Sequence, residues 1–316
     1  VEGELDVRRV VRARRPGDAR ILAGRAPPRR RHRRAEPHAE GDRVEPLQGA
    51  DVAHAEGAQG VDRLGVELER VERGAVAVAT ERRLDLEVPQ LIVADARRAL
   101  GALAAAVYAD PTRELAVVGL TGTNGKTTTA WLIDEALRAL GQQPALLGTV
   151  ESRGPGVREP APFTTPEGDA LARFARKVVD HGASHLVMEV SSHALAMHRA
   201  DAVDFAVAAF TNLTQDHLDY HGTLEAYFEA KARLFLELSP GASVINVDDA
   251  HGATLADRVP GCLRVSRQSD ADVSVRTWTM DRDGMRATAT VLGEEIELRS
   301  PLIGAHNLDN LLLALG

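Results

Sequence analysis

Lysine is almost missing from this chain: only Lys126, Lys177 and Lys231 occur, against thirty-five arginines. Cysteine is reduced to Cys262, which excludes an intramolecular disulfide framework and permits a reducing compartment. Aromatic residues make up 3%, so the core must be built from Leu, Val, Ile and Ala. No uninterrupted apolar run approaches the roughly 20 residues that span a bilayer, and the charged start is not expected to be a signal peptide. The formal charge of −8 argues against a global attraction to nucleic acid or anionic membrane. These shortages point to a soluble cytoplasmic protein, whose 316 residues suit two or three domains. It begins at Val1 and stops in a helical pattern at Gly316, so both ends are expected to be those of a fragment.

What is present falls into three regions. Residues 8–34 hold twelve arginines and no lysine, with little apolar periodicity. Such a run can be a nucleic-acid patch; the blander expectation for residues 1–71 is a poorly ordered segment, or one translated in the wrong frame. Residues 72–110 turn regular, with short apolar runs at 74–79 and 88–93 that read as strands and a helix over 96–106 capped by Asp95. Asp110-Pro111 is the expected linker.

From residue 111 to 316 strands alternate with helices. Strands are expected at 115–120, 185–190, 205–210 and 243–247, with helices at 128–140, 168–181 and 223–238. The first of these helices has the apolar face Leu132, Ile133, Ala136, Leu137 and Leu140, followed by Gly141 as a C-terminal cap. Beyond Cys262 short alternating strands appear, such as 273–280 and 286–292, joined by a turn at 281–284. The expected fold class is α/β: a phosphate-loop-type, mostly parallel sheet flanked by helices, preceded by the remnant of another α/β domain.

The first of the three lysines stands in TGTNGKTTT, residues 121–129, directly behind the strand at 115–120. The strict pattern G-x-x-x-x-G-K-[ST] fails by one place, because position 120 is Leu. The physics survives. Gly122 and Gly125 let successive amides of Thr123, Asn124 and their neighbours turn inward, Lys126 supplies a point charge for terminal phosphates, and Thr127 and Thr128 open a helix. The Thr127 hydroxyl suits Mg²⁺. A plain strand-to-helix turn with an incidental lysine is the weaker alternative.

Two further strand ends carry chemistry. Glu189 interrupts the apolar run VMEV, and ligands of open α/β sheets gather at the carboxyl ends of strands. Either it helps hold a metal or it is a buried acid satisfied by backbone amides. The segment TNLTQDHLDYHG packs Asp216, His217, Asp219 and His221 into six positions, either as a metal site or as helix caps and turn formers. Lys231 follows in an amphipathic helix, where it is either a snorkelling surface charge or a functional amine.

Taken together, TGTNGKTTT, FTTPE (163–167), MEVSSHAL (188–195), TNLTQDHLDYHG, AKARLF and GAHNLDN (304–310) resemble the central domain of the Mur ligase family. Within it they are most similar to the branch that adds the third residue of the peptidoglycan stem peptide. The resemblance covers about residues 72–316. It implies a ligase that uses ATP and Mg²⁺ to join an amino acid to UDP-N-acetylmuramoyl-dipeptide through an acyl phosphate, acting as a cytoplasmic monomer. It implies Lys126 at the phosphates, Thr127 and Glu189 on one Mg²⁺, and Lys231, carbamylated, with His217 at a second. Thr164, Thr165, Ser191 and Arg199 match positions that hold the muramoyl dipeptide, and Asn307 matches an adenine contact.

Departures are visible too. Met197 stands where many relatives carry a polar residue, and the family's N-terminal pattern dissolves into arginine after Arg20. A C-terminal, amino-acid-binding domain is expected to lie beyond Gly316. Two rivals stand beside this reading: a folylpolyglutamate synthase-like ligase, and an inert nucleotide-binding module.

Overall fold

Among the described residues, short apolar runs separated by amphipathic stretches produce two sheets, one of two strands and one of eleven. The structure, a computed structural model, describes Ala75 and residues 77–316. The expectation of a poorly ordered or frame-shifted segment over residues 1–71 lies outside the described residues.

The first elements are a parallel pair, β1 (Val78–Thr80) and β2 (Gln90–Ile92), followed by helix α1 (Ala96–Val107). Asp95 caps α1 as its sequence position requires, accepting a bond from Arg98 N at 3.0 Å. Asp110 then adopts a left-handed conformation before a single 3₁₀ turn, Pro111–Glu114.

The large sheet contains, in chain order, β3 (Ala116–Thr121), β4 (Pro144–Leu147), β5 (Glu151–Gly154), β6 (Val157–Pro160), β7 (His185–Glu189), β8 (Phe205–Phe210), β9 (Ala242–Asn246), β10 (Leu263–Ser266), β11 (Val273–Asp281), β12 (Gly284–Val291) and β13 (Glu294–Ser300). They lie side by side as β13-β12-β11-β10-β9-β8-β3-β7-β4-β5-β6. Neighbours from β11 to β4 run parallel, and antiparallel hairpins extend both edges. The α/β, mostly parallel architecture expected from the sequence is the one observed.

The helices are α2 (Lys126–Ala139), α3 (Gly168–Asp180), α4 (Ser192–Ala196), α5 (Leu218–His221), α6 (Leu224–Leu236), α7 (Ala250–Arg258) and α8 (Ala305–Leu315). Strand alternation divides the core into two layers. On β4, Ala145 and Leu147 join the layer holding Phe174 of α3, Phe235 of α6 and Leu255 of α7, while Leu146 joins that of Ala130 on α2 and Leu312 on α8. Helix α1 packs on α3 where Gly101 meets Gly168; a β-carbon on Gly168 would press on the Gly101 backbone. Among the described residues no helix is long and apolar enough to cross a membrane.

One expectation fails in part. Leu140, placed on the apolar face of α2, is 58% exposed. The helix instead buries Asp134 fully, against Arg138 at 2.9 Å and Arg153 at 2.5 Å. Arg153 belongs to the β5–β6 hairpin, whose polar sequence gives no strand signal, so the partner that turns this helix face inward was invisible in the periodicity of α2 alone.

Candidate phosphate-loop site

The central strand β3 delivers the chain into the loop at residues 122–125, and α2 begins at Lys126. Two glycines are obligatory here. Gly122 (φ 144°) and Gly125 (φ 91°) occupy the region that side chains avoid, and a β-carbon would collide with Thr211 Oγ1 at the first and Asn310 Oδ1 at the second. The loop is laced to the end of β8: Thr123 N donates to Asn212 O at 2.8 Å and Asn124 N to Asn212 Oδ1 at 3.0 Å.

Lys126 Nζ donates to the carbonyls of Gly122 and Thr123, both at 2.9 Å. Lys231, from α6, donates to the same Gly122 carbonyl at 2.8 Å and is 1% exposed. The surface-charge reading of Lys231 is therefore overturned. Its helix turns it inward over the Tyr227 ring, 4.4 Å from the centroid. Burial holds the Lys231 amine well below the ordinary lysine range, and the neighbouring Lys126 charge pushes it the same way. Burial also lowers Lys126, partly offset by Glu189 and Asp216.

Glu189 ends β7 with 2% exposure. It accepts from Thr127 Oγ1 at 2.9 Å, Thr149 N at 2.9 Å and Thr149 Oγ1 at 3.1 Å. The expectation of an acid satisfied by backbone amides alone is thus corrected, since two of its three donors are threonine hydroxyls. Thr128 is half-buried in the first turn of α2 beside them. A threonine hydroxyl and a carboxylate meeting at a helix N-terminus form a hard-oxygen donor pair of the kind Mg²⁺ takes.

The dense segment at 216–221 divides its labour. Asp216 Oδ1 accepts from His217 N at 2.8 Å, and His221 Nε2 lies 3.0 Å from Ser192 Oγ. Among the described residues no three His, Cys, Asp or Glu side chains gather as a metal site, so the cluster does not form one by itself. His217 instead joins a ring cluster: His193 stands 4.8 Å from it, 4.2 Å from Tyr220 and 5.5 Å from His221. Burial lowers both His193 and His221.

On the other side of Glu189, Thr164 Oγ1 meets Thr149 Oγ1 at 3.1 Å. Thr165 Oγ1 donates to Glu189 O at 2.9 Å and receives from Ser191 N at 3.0 Å. Arg199 Nη1 donates to Thr165 O at 3.2 Å, and its Nη2 lies 2.5 Å from Glu167 Oε1. FTTPE and the segment around Arg199 are therefore one surface. Met197 touches the same guanidinium through sulfur, 3.4 Å from Nη2.

Beyond Gly125 opens a cavity of about 380 Å³, lined by Asn124, Asn212, Asn246, His306, Asp309 and Asn310 among others. Asn307 is not among its lining residues; it accepts from Asn310 Nδ2 at 3.3 Å. Thr149, Tyr227 and Asn310 carry contacts that the sequence reading did not single out. Tyr227 had a signal, since it precedes Lys231 by one helical turn; Thr149, in a loop after β4, had none.

A parallel α/β sheet whose central strand feeds a glycine loop, with a lysine and a threonine opening the next helix, defines the phosphate-loop class of domain. The description Mur ligase middle domain fits residues 120–316. The chain belongs to the Mur ligase family. A UDP-N-acetylmuramoyl-L-alanyl-D-glutamate–2,6-diaminopimelate ligase from Geobacter metallireducens is 46% identical over 253 residues, 77% of this chain and 50% of that protein. The ligase of the same name from Bacillus licheniformis is 40% identical over 251 residues, 77% of this chain and 51% of that protein. The chain spans about half the length of the curated relatives it matches. A solved 2,6-diaminopimelate ligase of this type superposes with a TM-score of 0.72 at 32% identity, covering 79% of this chain and 53% of that one. A MurF ligase from Thermotoga maritima in complex with ADP shares the fold at 18% identity and a TM-score of 0.55, covering 79% of this chain and 55% of that one.

Proposed function

We propose that this chain is the nucleotide-binding part of a ligase that adds the third amino acid to UDP-N-acetylmuramoyl-L-alanyl-D-glutamate, using ATP, in peptidoglycan precursor and hence cell-wall synthesis. The observation that carries the reading is the meeting of Lys126 and Lys231 on one loop carbonyl, beside the Thr127–Glu189 pair. The relatives named above are diaminopimelate ligases, which favours 2,6-diaminopimelate over lysine as the amino acid added.

In this reading the γ-phosphate of ATP passes to the D-glutamyl side carboxylate, and the incoming amine displaces phosphate from that acyl phosphate to form the amide. The loop of Gly122, Thr123, Asn124, Gly125, Lys126, Thr127 and Thr128 would cradle the phosphates, with the Lys126 charge opposing the negative charge that develops. Mg²⁺, when bound, screens the phosphate oxygens. Thr127 and Glu189 fit one ion by donor chemistry, and Lys231 as a carbamate with His217 fits a second. Burial that disfavours the protonated amine supports this modification: the free amine adds to CO₂, releases a proton and leaves an anionic carbamate. Arginine cannot do this.

Thr164, Thr165, Ser191 and Arg199 would hold the muramoyl dipeptide. Asn307 would serve the adenine through Asn310, which lines the cavity beside the loop. Residues 111–316 would form the ATP-binding domain and 72–110 the remnant of the preceding one, acting as a cytoplasmic monomer without a nucleic-acid or membrane partner. The test is ADP release that requires both the muramoyl dipeptide and an amino acid, and that Lys126→Ala abolishes. Release indifferent to the muramoyl dipeptide, or following a folate instead, overturns the reading.

A further inference from the structure

Between Met197 and Arg199 the backbone turns into the left-handed region at His198, φ 60°. Residues other than glycine persist there only where the surroundings over-determine them. At His198 they do. Arg98 Nε, from α1, donates to Nε2 at 3.2 Å, and Nδ1 lies 2.7 Å from Asp201 Oδ2. Because Nε2 accepts, the ring proton sits on Nδ1 and is given to Asp201. Asp201 Oδ2 is fixed in turn by Arg233 Nη2 at 2.8 Å, and Arg233 also donates to Leu195 O at the end of α4. The backbone tightens around the same turn, with His198 N donating to Leu195 O at 3.2 Å and Arg199 N to Ala194 O at 2.9 Å. The next side chain to leave this turn is Arg199, directed at Thr165 O and Glu167.

We propose that His198 is a positioning residue for Arg199: its ring, bonded at both nitrogens, holds the left-handed turn that aims the guanidinium at the acidic muramoyl dipeptide. This rests on the reading of Arg199 as a substrate contact. A planar guanidinium recognises a carboxylate through a fixed fork, so its starting direction decides whether both bonds form.

The test titrates UDP-N-acetylmuramoyl-L-alanyl-D-glutamate and, separately, ATP into the parent chain, His198→Ala, His198→Asn and Arg98→Ala by calorimetry. Alanine supplies neither the bonds nor tolerance of the left-handed region; asparagine tolerates it and keeps a polar reach. His198→Ala is expected to weaken the muramoyl dipeptide on the order of tenfold while leaving ATP affinity unchanged, and His198→Asn to restore most of the loss. Arg98→Ala, which removes one bond from an exposed helix residue, is expected to weaken the dipeptide alone and by less. Parent-like dipeptide affinity in both alanine variants overturns the proposal, and so does equal loss of both ligands in Arg98→Ala. A parent chain that binds ATP but not the muramoyl dipeptide removes the reading of Arg199 itself, and the proposal falls with it.

Discussion

Lys231 gives its ammonium a backbone carbonyl where a buried charge would ordinarily take a carboxylate. That arrangement costs stability while the amine is protonated, which sets a sign for the pH dependence. Its folded-state pKa lies below the ordinary 10.5, so between the two the unfolded chain binds the extra proton and stability rises with pH. In CO₂-free buffer Lys231→Met is therefore expected to melt higher than the parent near neutrality, with the gap closing as the pH climbs toward 10.5. Thermal denaturation followed by circular dichroism checks this; a gap that ignores pH contradicts it. The sequence marked this lysine through the scarcity of its kind, yet left open whether it faced water. Burial on α6 depends on which side of the helix meets Gly122 and the end of β3, and spacing along α6 says nothing of those neighbours.

Elements with long periodic patterns were legible to within a residue or two. Expected strand 205–210 coincides with β8, and expected helix 168–181 with α3. The β5–β6 hairpin was not, because Glu-Ser-Arg-Gly and Val-Arg-Glu-Pro form strands by pairing with β4 and each other rather than by any pattern of their own. The same hairpin brings Arg153 over Trp131, 3.9 Å from the ring centroid, and onto Asp134. The ion pair thereby fastens the phosphate-loop helix to the sheet edge. Asp134→Ala would leave two arginines facing a vacated carboxylate site, and it is expected to destabilise the fold by about 3 kcal/mol or more. Urea unfolding measures this directly, and a change of less than about 0.5 kcal/mol, the size of an ordinary surface substitution, would mean that the pair is dispensable.

Across the molecule, the site is a product of strand order more than of motif. Gly122 and Lys231 are separated by 109 positions, and they meet because β3 lies beside both β7 and β8 at the centre of the sheet. The motifs named most of the participants, Lys126, Thr127, Glu189, Thr165 and Arg199 among them; which of them touch could be read only once the strands had an order. Thr149 and the cavity beside Gly125 were beyond reach for the same reason. The proposed conversion of Lys231 into an anionic metal ligand beside Lys126 is clean to test, since the whole chain holds three lysines. With ¹³C-bicarbonate, Mg²⁺ and ADP present, carbon NMR is expected to report one carbamate carbon, kept in Lys177→Arg and lost in Lys231→Arg. A carbamate that disappears with Lys177 instead, or none on Lys231 at all, would rule out that role for Lys231.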